Sequence, residues 1–292
     1  MTLLQELSDT AATVAAQLAP STVAIGRSSR GSGVVVAPGR VLTNAHNLRD
    51  RTTQVTFADG RVEQGRVLAA DVGADLAVLE VDTGDADAVT WADEAPGLGA
   101  AVFALARGAA GERLTVGFVS GVRRAFRGPR GRRIEGGLEH TAPMARGASG
   151  GPLVDAAGRV VGINTHRLGE GFYLAQAAEA DLVAKVQALA EGREPTRAEL
   201  GIAVAPPGVA AKLRRSVGLD ERDGVLVRGV AEGSPAAAAA LREGDLIVAA
   251  GERTIEGVDE LHAALAGHDT AHPLELTVVR GADELQLTVS FG

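Results

Sequence analysis

The sequence predicts a mainly β protein: a larger unit of many short strands that closes as a barrel or sandwich, followed by a small α+β module. Three observations predict it. Between Thr22 and about Ile163, short β-branched runs recur with glycine-rich or Asp-Gly turns between them and no long helical pattern. After about Arg197 the texture changes, and strand-like and helix-like runs alternate. A chain of 292 residues has room for about two domains. Its 46% hydrophobic and 23% charged residues suit globular cores rather than a disordered chain.

The elements follow in order. Residues 3–18 read as a helix, with Leu3, Leu7, Val14 and Leu18 near one face and Pro20 ending it. The strand runs are Val34–Val36, Gln54–Phe57, Leu76–Val81, Val102–Leu105, Leu114–Val119 and Val160–Ile163, with turns such as Asp59-Gly60 between them. Residues 179–191 form one clear helix, and residues 192–196 (Gly-Arg-Glu-Pro-Thr) read as a linker. Beyond it lie a strand at Leu200–Ala205, a helix near Val209–Val217 and a strand at Gly224–Val230. Ser234-Pro235 is an N-cap followed by proline at the first helical position, opening an alanine-rich helix to Leu241. Asp245–Ala250 reads as a strand, Val258–Ala266 as a helix, and Leu274–Val279 with Leu285–Phe291 as a closing hairpin around Gly281. The expected division is an N-terminal helix (1–19), a β domain (20–191), the linker, and the second module (197–292).

Composition excludes several classes. With 29 basic and 37 acidic residues the net charge is −8, against the basic excess expected of a nucleic-acid binder. There is no cysteine, hence no disulfide, thiol catalysis or thiolate metal site. No apolar run is long enough for a transmembrane helix. The first residues carry Glu6 and Asp9 and no Lys or Arg before Arg27, unlike a secretory leader, so the chain as written is expected in the cytoplasm, or outside it if the N-terminus has been trimmed.

The strongest chemical signal is Gly147-Ala-Ser149-Gly-Gly-Pro152. A serine between small residues can stand clear of the chain, and glycine neighbours let backbone N–H groups face a developing oxyanion. The plainer reading is a glycine-rich loop with a passive serine. Two further residues weigh against it. His46, in Thr43-Asn-Ala-His46 after the apolar run 34–42, could remove the serine proton. Asp75, at the head of Asp75-Leu-Ala-Val-Leu, could hold an imidazole in one tautomer. The same glycines also fit the Gly-x-Ser-x-Gly elbow of α/β-hydrolases. That motif needs a strand before the serine, a helix after it, and the acid and histidine downstream. Here residues 153–161 read as a hairpin. The order His…Asp…Ser among strands matches the chymotrypsin-type double β-barrel instead.

These residues resemble the trypsin-like protease domain of the HtrA (Deg) family over residues 20–190. The matching stretches are Gly31-Ser-Gly-Val-Val-Val with Val41-Leu-Thr-Asn-Ala-His46, Asp71-Val-Gly-Ala-Asp75-Leu, Val116-Gly-Phe-Val-Ser120, and Arg146-Gly-Ala-Ser-Gly-Gly-Pro followed by Gly162-Ile-Asn-Thr165. Residues 197–292 resemble the PDZ module that follows in that family, on Leu200-Gly-Ile202, Gly233-Ser-Pro-Ala and Gly244-Asp-Leu-Ile247. The resemblance implies a chymotrypsin-like double β-barrel and then a small α+β PDZ domain. It implies Ser149 as nucleophile, His46 as base and then acid, Asp75 as orienter, and the N–H groups of Gly147 and Ser149 as the oxyanion hole. Met144 would floor the primary specificity pocket, favouring small aliphatic side chains, with Asn164, Thr165 and His166 along its wall. In the PDZ groove a peptide C-terminus would add as a strand beside Leu200, Gly201 and Ile202, with Ile202, Val204, Leu261 and Leu265 forming the side-chain pocket. No cofactor or metal is implied.

The sequence also departs from the family. The family's Asp-Ala-Ala-Ile-Asn before the serine motif is here Thr141-Ala-Pro-Met-Ala145, and Ala148 replaces a usual Asn. The resemblance implies a homo-oligomer, a trimer, but the aromatic residues that family trimers use near the N-terminus have no counterpart before Phe57. The cluster Arg123, Arg124, Arg127, Arg130, Arg132, Arg133 reads as a solvated hairpin turn; by the resemblance, Arg124 lies nearest a sensor position that switches the active-site loops. Two functions are weighed. One is an active serine endopeptidase acting on unfolded or damaged proteins. The other is a non-proteolytic PDZ scaffold or holdase with a silent barrel.

Overall fold

A computed structural model describes residues 2–108, 111–127, 133–195, 198–205, 208–216, 218, 222–266 and 268–291. The chain divides into two compact units, Met1–Glu194 and Pro195–Gly292. Arg130, Arg132, Thr196, Arg197 and Val217 lie outside the described residues, as do the side chains of Arg127 and Arg133.

The first unit opens with α1 (Leu3–Leu18) and then runs β1 (Thr22–Ile25), β2 (Gly31–Ala37), β3 (Arg40–Thr43), a 3₁₀ turn (Ala45–Asn47), β4 (Thr52–Thr56), β5 (Val62–Asp71) and β6 (Leu76–Glu80). It continues through β7 (Ala101–Gly108), β8 (Gly111–Arg127), β9 (Arg133–His140), β10 (Pro152–Val154), β11 (Val160–Gly169), β12 (Phe172–Ala177) and α2 (Ala180–Ala190). The strands close into two antiparallel barrels, in the orders β1-β2-β3-β6-β5-β4 and β10-β11-β12-β9-β8-β7. Three of these strands, β5, β9 and β12, carry no simple alternation and are not among the sequence-predicted runs. They are needed because a barrel must close to leave no open edge.

Burial explains why the central strands are apolar at every position. Val35, Val41 and Leu79 fill the first barrel, while their chain neighbours Val34, Leu42 and Val78 point the other way. That second set meets Phe103, Leu105, Val154 and Ile163 of the second barrel, with Leu182, Val186 and Leu189 of α2. Each strand thus serves two cores at period two, and burying one such side chain contributes about 1.5–3 kcal/mol. The first helix joins the same core through Val14 and Leu18, whereas Leu3 and Leu7 are exposed. It is therefore part of the first unit, and only its C-terminal half is held. Arg107 of β7, itself buried, donates to the carbonyls of Thr22 and Ala19 at the end of that helix.

The second unit holds β13 (Ile202–Val204), α3 (Val209–Ser216), β14 (Val225–Val230), α4 (Pro235–Ala238), β15 (Leu246–Ala250), β16 (Arg253–Thr254), α5 (Val258–Ala266), β17 (Leu274–Arg280) and β18 (Asp283–Val289). Its sheet runs β13-β14-β15-β17-β18, with β16 beside β15. The capped helix at Ser234 is shorter than the sequence suggests. Ala240 turns left-handed (φ 58°), and the Leu241 amide returns to the Ala236 carbonyl at 2.9 Å, which folds Leu241 into the core.

Candidate active site

The segment Thr43–Asn47 leaves β3 at the seam between the barrels, and each of its residues makes a connection there. Thr43 Oγ1 donates to the Ser32 carbonyl at 2.7 Å. Asn44 Nδ2 and the Ala45 amide both donate to the Asp75 carbonyl, at 2.9 and 3.1 Å. The His46 amide donates to Asp75 Oδ1 at 3.0 Å, and His46 Nδ1 lies 2.7 Å from Asp75 Oδ2. Asp75 is fully buried, precedes β6, and sits in the left-handed region (φ 58°), which aspartate tolerates. Gln176 Nε2 of β12 holds the preceding Ala74 carbonyl at 2.9 Å. A carboxylate only accepts, so the proton on this side of the ring is on Nδ1, and Nε2 keeps its lone pair for an incoming proton.

Thr165 is a further partner of the aspartate. Its hydroxyl donates to Asp75 Oδ2 at 3.3 Å and lies 2.7 Å from His166 Nδ1. The His166 ring stands 5.7 Å from that of His46 and 5.5 Å from Phe126 of β8. Burial lowers the His166 pKa; Asp75 pulls it up and His46 pushes it down. Phe126 is the one aromatic of the arginine-rich arm. It packs with Ile134 and Leu174, so the arm reaches His166, the neighbour of His46, through an aromatic contact that its charges conceal in the sequence.

Ser149 lies in the loop between β9 and β10, held from the other barrel. Its carbonyl accepts from the Ser32 amide at 2.8 Å and from Asn47 Nδ2 at 2.9 Å. Ser32 Oγ donates to the Gly147 carbonyl at 2.8 Å. Gly147 has φ 84°, and a Cβ there would lie 2.5 Å from the Ser29 carbonyl oxygen, so only glycine fits. The Ser149 hydroxyl donates to the Thr165 carbonyl at 2.7 Å. A hydroxyl has one proton, so in this state it is not offered to His46 Nε2. The structure therefore brings His46, Asp75 and Ser149 to one seam with the first link of a triad formed and the second open.

Met144 is buried beside a small, open cleft that it lines with Ala104, Leu105, Ala106, Arg113, Thr115, Pro143, Ala145 and Ala148. Asn164, Thr165 and His166 do not line that cleft. Asn164 is fully buried, with Nδ2 on the Pro152 carbonyl at 3.1 Å. Beside it lies His140, also fully buried and stacked at 5.9 Å on Tyr173. Neither His140 nitrogen has a well-formed hydrogen bond, and burial lowers its pKa to about 4 despite the nearby Asn164 amide. Arg124 pairs with Glu139 at 3.3 Å, half exposed, one residue before His140.

In the second unit Leu200 and Leu261 belong to the core, while Ile202, Val204 and Leu265 are half-buried against it. Gly201 has φ 72°, and a Cβ there would meet the Ser234 side chain at 2.4 Å. The sequence reading did not single out Ser32, Asn47 or Phe126. The recurrence of small polar residues in Gly31-Ser32-Gly33 and Thr43–Asn47 is the signal that could have found the first two.

This arrangement defines the class: a two-barrel serine hydrolase seam in one unit and a peptide-binding-type sheet in the other. The trypsin-like peptidase domain family matches residues 31–163, and the PDZ domain family matches residues 208–291. The serine protease HhoA of Synechocystis sp. is 31% identical over 275 residues, covering 89% of this chain and 70% of that protein. The DegP-like periplasmic serine endoprotease of Halomonas elongata is 28% identical over 274 residues, covering 91% of this chain but 57% of the relative's own length. The solved structure of the HtrA-type protease AlgW with a decapeptide superposes with a TM-score of 0.71 at 24% identity, over 96% of this chain and 97% of that one, a likeness of fold. The chain belongs to the HtrA-type family of trypsin-like serine proteases with a PDZ domain.

Proposed function

We propose that this chain is a serine endopeptidase that hydrolyses peptide bonds of unfolded or damaged proteins, with His46, Asp75 and Ser149 as its triad. The observation that carries the reading is the 2.7 Å link from His46 Nδ1 to the buried Asp75, with the Ser149 loop held beside it. In the reaction the Ser149 hydroxyl leaves the Thr165 carbonyl and gives its proton to His46 Nε2 as Oγ bonds to the substrate carbonyl carbon. The Gly147 and Ser149 amides receive the oxyanion. The imidazolium, stabilised by Asp75, returns the proton to the leaving amine. A water then repeats the sequence on the acyl-enzyme, with His46 taking its proton and returning it to Ser149.

Met144 is assigned to the floor of the specificity pocket; Asn164, Thr165 and His166, expected from the family along its wall, lie off the Met144 cleft and are not assigned to it. Residues 20–191 are the catalytic domain and 197–292 the PDZ domain, in which Leu200, Gly201 and Ile202 receive a peptide carboxylate beside Val204, Leu261 and Leu265. Arg124 is assigned a sensor role, and a homo-oligomer is expected from the family. No described helix is long and apolar enough to cross a membrane. The Halomonas relative is named as periplasmic, and that setting is weighed against the cytoplasmic one by fractionation.

The hydroxyl turned to Thr165 is the one feature that favours a silent scaffold. A fluorophosphonate probe separates the two readings. The endopeptidase takes up label at Ser149, and Ser149→Ala abolishes labelling and lowers kcat by on the order of 10⁶ with folding intact. An unlabelled wild-type protein, or casein cleavage by Ser149→Ala at the wild-type rate, would overturn the assignment.

A further inference from the structure

We propose that Asn47 is a positioning residue for the nucleophile, tying the peptide of Ser149 to the segment that carries His46. The inference rests on the triad reading and adds a residue to it. Asn47 follows His46 directly and is 2% exposed. Its Nδ2 donates twice, to the Ser149 carbonyl at 2.9 Å and to Thr43 Oγ1 at 3.0 Å. Thr43 Oγ1 donates its own hydrogen bond to the Ser32 carbonyl at 2.7 Å, and the Ser32 amide donates to the Ser149 carbonyl at 2.8 Å. The four groups form a closed ring of hydrogen bonds, with one barrel on one side and the nucleophile on the other.

The amide's orientation is determined by its neighbours. The Ser149 carbonyl can only accept, and the Thr43 proton is already committed, so the NH₂ group must face both. Oδ1 then points away, buried and without a hydrogen-bond partner. The orphaned buried acceptor offsets much of what the two donated bonds return, so stability alone does not account for an amide at this position. A leucine has the same branching and no orphan, but its methyl groups are bulkier than the amide and cannot sit at hydrogen-bond distance from the two oxygens. Room for the amide also comes from Gly31, where a Cβ would lie 2.1 Å from Nδ2.

What the ring does is chemical. Two donors on the Ser149 carbonyl fix the peptide after the nucleophile and limit the travel of its Cα, so Oγ can swing between Thr165 and His46 while the N–H stays aimed at the oxyanion. The anchor is one residue from His46, so a shift of the histidine segment carries the serine with it. A misplacement of about 1 Å in such a pair costs about 100-fold in rate.

The test uses the full chain with Asn47→Leu and the isosteric, acceptor-only Asn47→Asp. The expected result, read at a temperature where each variant is folded, is a kcat about 10–100-fold lower, KM within a factor of about two, and fluorophosphonate labelling slowed by the same factor as kcat. A purely structural residue would lower the melting temperature instead. Wild-type kcat and labelling rate in either folded variant would overturn the proposal alone, and failure of both variants to fold would overturn it by assigning Asn47 to the fold. A wild-type protein that takes no label would overturn the triad and this proposal with it.

Discussion

At the scale of single residues the site is organised by what can only accept. Asp75 accepts hydrogen bonds from His46 and Thr165, and the Ser149 carbonyl accepts them from Ser32 and Asn47. His140 stands apart, with a ring that has no well-formed partner and a pKa lowered by burial to about 4, against 6.5 for a free imidazole. The unfolded chain therefore takes up this proton at a higher pH than the folded chain. The corresponding stability is fully present above about pH 6.5, falls as the pH drops, and is lost below about pH 4, in total on the order of 3 kcal/mol. His166, whose pKa is also lowered, works in the same direction. Urea unfolding at about pH 7.5 and pH 5 should show a loss in the wild type that is smaller by about 2 kcal/mol in His140→Phe, which keeps the stack on Tyr173. An equal loss in both proteins would show that His140 does not carry it.

At the scale of elements the loop from Thr141 to Gly151 carries both the proposed pocket floor, Met144, and the proposed nucleophile, Ser149. Its first half buries Met144 against β7 and β8, and its second half presents Ser149 to β11. A methionine floor should favour Val, Ala, Leu or Met before the cut bond. Met144→Ala should deepen the pocket and admit larger side chains, with a graded change of about 1–3 kcal/mol in discrimination. Mass-spectrometric profiles of casein cuts would show the shift, and profiles dominated by Arg or Lys would refute the assignment. The first helix illustrates a different lesson: periodicity alone placed Leu3 and Leu7 on the same face as Val14 and Leu18, but only the latter pair reaches the core.

At the scale of the molecule, the unit that holds the PDZ family match, Pro195–Gly292, follows the trypsin-like unit, Met1–Glu194. Docking of a hydrophobic C-terminal peptide beside Leu200–Ile202 should raise the rate of cleavage of a fluorogenic peptide. For that the ligand must bind the active state more tightly than the resting one. The effect should vanish in a chain ending near Arg193 and weaken in Arg124→Ala, whose ion pair with Glu139 lies next to the start of the nucleophile loop. An unchanged rate despite demonstrated binding would make the second unit a tether for substrates.

The sequence by itself determined the two-unit, mainly β plan and pointed to the three groups that the structure gathers at one seam. Strand runs such as 34–36 and 76–81, and the glycines around Ser149, are local signals: they depend on side-chain period and on backbone positions that no other residue can occupy. Tertiary structure alone decided the rest. The closure of each barrel requires β5, β9 and β12, whose mixed polarity carries no clear period. The ring through Ser32, Thr43, Asn47 and Ser149 joins residues more than a hundred positions apart, and His140 is polar yet fully buried with no well-formed hydrogen bond on its ring. The direction of the Ser149 hydroxyl was also beyond the sequence, because its single proton goes to the acceptor that the packed backbone brings within reach, here the Thr165 carbonyl. Pattern reports which face a residue shares with its neighbours. Only packing reports which distant atom it meets.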